Sequence, residues 1–342
     1  MIANDIDLSA YEGSREWVPI GYVERKGNAW TGYTYEMAKP FTGTMDGYGH
    51  TITNLVVSSN VDTARGNGLF GATTGTVSNL HIKGADVYGP AFVGVLAGAN
   101  GGTIANCAVS GNVTAANNFG GGLAGWNLNG TITGCSSSAY VGGNLQPNYD
   151  GVDANMMGGL VGVNEGAINR CAATGDVNTK VTDRAVIDSN SYGQMTGYTH
   201  YENIGGLVGE NYGTIRDCSA SGSVKGYSQV GGLTSYNEGN ISNCVVYAKV
   251  YSLVQNNYTN WQSPTVAAEY GSSEYTSIYF VKGNVYKNNV LYTGWDTKSR
   301  GIPMTAEEMT NGQALPNLIY DEPVWSFAAG SYPALIGLPA IS

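Results

Sequence analysis

Charge is scarce in this chain. Asp, Glu, Lys and Arg together supply only 12% of its 342 residues, about half the share of an ordinary soluble domain. Basic residues number 16 against 26 acidic ones, for a formal net charge of −10. Nucleic acids and anionic membrane surfaces both call for clustered Lys and Arg, so neither is an expected partner. No apolar run approaches the ~20 residues of a spanning helix, and membrane insertion is not expected. The opening MIANDIDLSAYEG lacks a basic start and an apolar stretch, so it is not read as a signal peptide and the chain reads as a mature fragment. Histidine is limited to His50, His81 and His200, and none forms H-E-x-x-H, the spacing that sets two zinc ligands one helical turn apart. Metallopeptidase chemistry is therefore rejected.

Glycine is abundant instead, at 50 residues, while the hydrophobic share of 42% is that of a folded chain. Tight turns and stacked strands suit this balance better than helices with charged faces. Five cysteines recur inside one repeated phrase, of which GGLVGVNEGAINRC and GGLVGENYGTIRDC are the clearest copies. Leu96, Leu160, Leu207 and Leu233 each precede a cysteine by 11 residues, and Leu123 precedes its own by 12. A segment closing on Val113, Val141, Val177, Val224 or Val250 follows each cysteine. A fixed period of about 26 residues means stacked supersecondary units that bury one continuous core.

Within a unit the apolar residues alternate in short pieces punctuated by glycine, which predicts about three short strands per unit. The fold expected is all-β: a right-handed parallel β-helix of about 8–9 coils, with rungs ~4.8 Å apart, irregular end caps and one short C-terminal helix. The cysteines Cys107, Cys135, Cys171, Cys218 and Cys244 should form a buried ladder of free thiols, since neighbours on a ladder point the same way. Asn100, Asn127, Asn164, Asn211 and Asn237 should form a second ladder, hydrogen-bonded from coil to coil and able to take left-handed corners. In the two preceding rungs, Leu55 and Leu80 are expected at the cysteine position, with His50 in a turn.

Residues 1–40 are read as an N-terminal cap and first coil, 41–250 as the repeats, and 251–342 as divergent coils and a C-terminal cap. Thr305 and Glu308 form a T-x-x-E capping box that predicts the one helix start. Trp325, Tyr332, Pro333 and Leu335 are expected to seal the upper end.

The repeats resemble the GLUG motif of bacterial surface proteins. The opening DIDLS…WVPIG…FTGTMDGYGHTITNL and the closing IPMTAEEM…W…YPAL are similar to the flanks of such proteins. The resemblance implies a secreted or cell-surface bacterial protein with stacked β-helical coils. Related repeats occur in large adhesins and near the amino end of bacterial immunoglobulin A metallopeptidases, so the resemblance implies no single activity.

Function is sought where the period breaks. Val87 to Leu96 and Val224 to Leu233 each span 9 residues, and Val113 to Leu123 spans 10, but Val141 to Leu160 spans 19 and Val177 to Leu207 spans 30. These two insertions, at 142–157 and 178–204, should rise side by side from one face, where solenoids often bind. Tyr149, Tyr192, Tyr198 and Tyr201 offer rings that stack on sugar faces, and Trp126, Glu210 and Tyr236 extend them as exposed positions on a shared turn. The expected partner is a glycan or surface polysaccharide, bound for adhesion. If the protein is an enzyme, Asp150 or Asp153 could oppose Asp183, Asp188 or Glu202 as a glycosidase pair. A lyase would use Tyr201 or His200 with Arg184 or Lys180. A third reading is an assembly element of a surface protein. No metal site is assigned and no cofactor is expected, although Asp150-Gly151-Val152-Asp153 offers hard oxygens that suit calcium.

Overall fold

Between Cys135 and Cys171 the chain passes through five short strands: Ser136–Ser137, Tyr140–Gly143, Ala154–Gly158, Val161–Asn164 and Ala167–Asn169. None can bury its apolar side chains alone, and each pairs in parallel with counterparts on neighbouring coils. The protein is thus an all-β parallel β-helix. Among the described residues, antiparallel pairing is limited to a hairpin, Tyr22–Asn28 with Gly32–Lys39, and two short pairs near the C-terminal end. The computed structural model describes residues 1–9, 17–28, 32–59, 65–116, 118–143, 154–178, 201–226, 229–252, 262–263, 265–269, 273–287, 290–291, 300–318 and 323–339.

A coil contains more strands than the predicted three because single residues make its corners. A left-handed residue stands before each cysteine position: Asn79, Asn106, Gly134, Arg170, Asp217, Asn243 and Ser277. The corner role expected of the ladder asparagines falls to this column. A second corner precedes each repeated leucine; before Leu123, Leu160, Leu207 and Leu233 it is made of two glycines that leave no room for a side chain. A Cβ on Gly158 would lie 2.0 Å from the Val161 carbonyl oxygen, and one on Gly159 would lie 2.3 Å from that of Gly206.

Between corners the registers run as the repeat predicts. Leu69, Leu96, Leu123, Leu160, Leu207 and Leu233 form one buried column. Val57, Val87, Val113, Val141, Val177, Val224, Val250 and Val285 form another. Met45 begins a third, continued by Val77, Ile104, Ile132, Ile168, Ile215 and Ile241. Each such side chain removed from water contributes ~1.5–3 kcal/mol.

The cysteine column runs from Leu80 through the five thiols to Ile278. Leu55 does not join it. Thr51 pairs with His81, which brings His50 level with Leu80, while Leu55 stands level with Ala85. Asn54 is a left-handed corner of a different register, and its Asn-Leu pair imitates Asn79-Leu80.

Ile2, Leu8 and Trp17 pack against the lower end of the core. At the other end, Thr305 and Glu308 cap each other's backbone at the start of the helix Ala306–Met309. Trp325, Tyr332 and Leu335 do not sit over the end of the core. They pack on the side of the stack against Val245, Tyr279 and Val281, which point outward there and need cover. Tyr332 stacks on Tyr247 at 4.7 Å. Further along the tail, the Pro339 carbonyl accepts a 2.6 Å hydrogen bond from Ser136 Oγ.

All five thiols are free and buried, and burial pushes those of Cys135, Cys171 and Cys218 well above the usual range. A thiol-disulfide reagent should therefore find no reactive thiol in the native protein and five per chain in denaturant. Rapid native reaction would contradict the buried ladder.

Candidate functional site

The Gly-Gly corner is re-entrant, so residues pointing away from the main core on its two sides meet each other. On one side stands the sheet containing Ala124–Asn127, Val161–Asn164, Val208–Asn211 and Thr234–Asn237. Its outward column reads Ala72, Ala99, Trp126, Val163, Glu210 and Tyr236 in register. On the other side stands the sheet of Ala154–Gly158, Tyr201–Gly205 and Gln229–Gly231. Met156, Asn203 and Gln229 are level with one another there.

The lower half of this groove is apolar and filled. Phe92 lies 4.9 Å from Phe119 and 5.4 Å from Trp126, centroid to centroid. Val23, Tyr35 and Met37 of the hairpin cover them, with Tyr35 edge-on to Phe92 at 4.9 Å. The upper half is polar. Glu210 accepts hydrogen bonds from Asn203 Nδ2 and, at 2.8 Å, from the Tyr212 hydroxyl. One coil further, the Tyr236 hydroxyl donates to Glu238. The Tyr212 and Tyr236 rings lie 5.8 Å apart at 53°. Trp126 Nε1 donates to Glu165 at 3.1 Å, so three ring–carboxylate pairs follow one another along the face.

Trp126, Glu210 and Tyr236 were expected as exposed turn residues, and this is corrected. They lie on strands in one column, with Trp126 8% and Glu210 6% exposed and Tyr236 half-buried. The re-entrant corner covers them with side chains of the adjoining sheet. Sequence reasoning missed Glu165, Tyr212 and Glu238. Each fills the middle of an Asn-x-Gly turn directly after a ladder asparagine, a slot whose phase alone could have marked it as outward-facing. Tyr212 is 43% exposed, and Glu165 and Glu238 are exposed as well.

Tyr149, Asp150, Asp153, Asp183, Asp188, Tyr192 and Tyr198 lie outside the described residues, as do Lys180, Arg184 and His200. The roots of both insertions are described. Ala154 pairs with Tyr201 and Asn155 with Glu202, so the two segments enter the same sheet on adjacent coils. Strand claims part of each predicted insertion: 142–143 and 154–157 of the first, 201–204 of the second. Met156 and Asn203, which line the groove, come two residues after these roots, about 7 Å along the strand. Among the described residues, no group of three or more His, Cys, Asp or Glu side chains is placed to hold a metal ion.

The GLUG motif matches residues 153–178 and 200–225, which begin at the roots of the two insertions. The chain carries GLUG repeats, folded as coils of a parallel β-helix. No curated protein sequence matches it. Among solved structures it is similar to a proposed immunoglobulin A1 protease from Bacteroides ovatus, with 18% identity and a TM-score of 0.54 over 98% of this chain and 84% of that one. At that identity the likeness is one of fold. No helix among the described residues is long and apolar enough to cross a membrane.

Burial pushes the Glu210 carboxyl above the usual carboxylate range; the hydrogen bonds from Tyr212 and Asn203 oppose the shift, and the Glu238 charge adds to it. The raised value means that protonated Glu210 is favoured by folding. Its contribution is present below the ordinary carboxylate pKa of ~4.3 and lost as pH rises through the raised folded value. Glu210→Gln should therefore gain stability relative to the native chain as pH rises above about 4, read from urea midpoints. A relative loss over that range would show that the site prefers the ionised carboxylate.

Proposed function

We propose that this chain is a bacterial surface module that binds carbohydrate along the polar half of the re-entrant groove. The two insertions would stand at its rim. The observation that carries the reading is the succession of ring–carboxylate pairs, Trp126 with Glu165, Tyr212 with Glu210 and Tyr236 with Glu238, on one face of the stack. Rings supply apolar faces for pyranose C–H groups, and carboxylates accept from sugar hydroxyls. The GLUG repeats support placement outside the cell, as the resemblance implies. The adjacency of the insertion roots supports adding Tyr149, Tyr192, Tyr198 and Tyr201, read from the sequence, to the same proposed surface.

Binding is favoured over hydrolysis by the state of Glu210. Both of its oxygens are already held, one by Asn203 and one by Tyr212, whereas a general acid must present an oxygen to the glycosidic bond. A hydrolase reading would rest on Asp150, Asp153, Asp183, Asp188 and Glu202 in the insertions.

A glycan array should show retained sugars without product release. The double variant Tyr212→Ala/Tyr236→Ala should weaken that binding about tenfold or more, the scale of two lost stacking contacts. Unchanged binding in the double variant would remove the groove from the account.

A further inference from the structure

The donors of the polar groove are largely consumed within it. The Tyr212 hydroxyl and Asn203 Nδ2 are given to Glu210, and the Tyr236 hydroxyl to Glu238. Ser235 Oγ lies 3.2 Å from Asn203 Oδ1 and 3.1 Å from the Gln229 carbonyl oxygen. What the groove has in surplus is acceptors. Gln229 stands one coil beyond Asn203 in register, and its Oε1 is buried without a hydrogen-bond partner. Glu210 and Glu238 each keep lone pairs beyond the bonds they accept. Among the described residues, no lysine, arginine or histidine pairs with either carboxylate. The Tyr212 and Tyr236 rings, tilted at 53° with centroids 5.8 Å apart, present electron-rich faces beside these acceptors.

We propose that this half of the groove takes an amino sugar whose free ammonium group is seated between the Tyr212 and Tyr236 rings and the Glu210 and Glu238 carboxylates. The inference rests on the carbohydrate reading above and narrows it to hexosamine units that are not acetylated. An ammonium brings three donors and a positive charge to a site rich in acceptors, negative charge and aromatic faces. An N-acetyl group replaces that charge with a neutral amide. Uronates and sialates carry the wrong sign for a chain of net charge −10.

The test is calorimetric titration of the native chain with β-1,4-linked glucosamine hexamer, its fully N-acetylated counterpart and an oligogalacturonate. The glucosamine hexamer should bind about tenfold or more tighter than the acetylated one and weaken with added salt, and the oligogalacturonate should not bind. Glu238 is exposed, so Glu238→Gln should leave the circular dichroism spectrum unchanged while erasing most of the preference. Equal or tighter binding of the acetylated hexamer, or a preference that survives Glu238→Gln, overturns the proposal. A neutral oligosaccharide that binds the native chain and is lost in Tyr212→Ala/Tyr236→Ala would sink the ammonium site and leave the carbohydrate reading standing. Absence of binding to any sugar would end both.

Discussion

A parallel stack repeats every side chain at the rung spacing of ~4.8 Å, so any polar group placed inside must find its partner on the next coil. The asparagine ladder meets that condition. Asn100, Asn127, Asn164 and Asn211 each donate Nδ2 to the Oδ1 of the asparagine above, at 2.8, 2.8, 2.7 and 2.6 Å. Each also donates to the carbonyl of a turn glycine, as Asn127 does to Gly130 at 3.1 Å. The ladder closes upward on the Tyr275 hydroxyl, 3.0 Å from Asn237. All five carboxamides are fully buried, and a buried amide left without its partner costs ~1–3 kcal/mol. A coil that slipped by one residue would orphan its asparagine and turn its leucine outward at once. Registry and core burial are thus enforced together.

That registry explains why the groove exists where it does. The ladder asparagine ends one strand, and the Asn-x-Gly turn after it throws the middle residue to the outside. One position before the ladder asparagine, the outward column faces the adjoining sheet across the glycine corner. Trp126, Glu165, Glu210, Tyr212, Tyr236 and Glu238 therefore recur at two fixed phases of the coil. The chemistry along the groove changes because the occupants change, from Phe92, Phe119 and Trp126 under the hairpin to Glu210 and Tyr236 above it. The described part of the C-terminal tail covers a different flank, where Val245, Tyr279 and Val281 turn outward.

The leucine, valine and cysteine columns were legible in the sequence because they recur at near-constant spacing. The phase of the first rung was not, since Asn54-Leu55 imitates Asn79-Leu80 while occupying a different corner. The candidate site was half legible. Trp126, Glu210 and Tyr236 could be picked out by their shared phase, but their burial depends on the angle between two sheets, which no local pattern records. Glu165, Tyr212 and Glu238 were hidden in a slot where Leu128 and Gly101 also occur, so the position looks variable when it is in fact the outward one. The inserted segments were found by length alone, and their roots do meet on one sheet.

Registry, core burial and the groove all depend on the asparagine ladder, and side-chain hydrogen exchange followed by nuclear magnetic resonance reads it directly. The carboxamide protons of Asn127, Asn164 and Asn211 should exchange as slowly as the backbone amides of Leu160 and Leu207 beside them, since both can open only when coils separate. Exchange of those carboxamides at the rate of exposed Asn240 would contradict a buried, coil-to-coil ladder and the registry built on it.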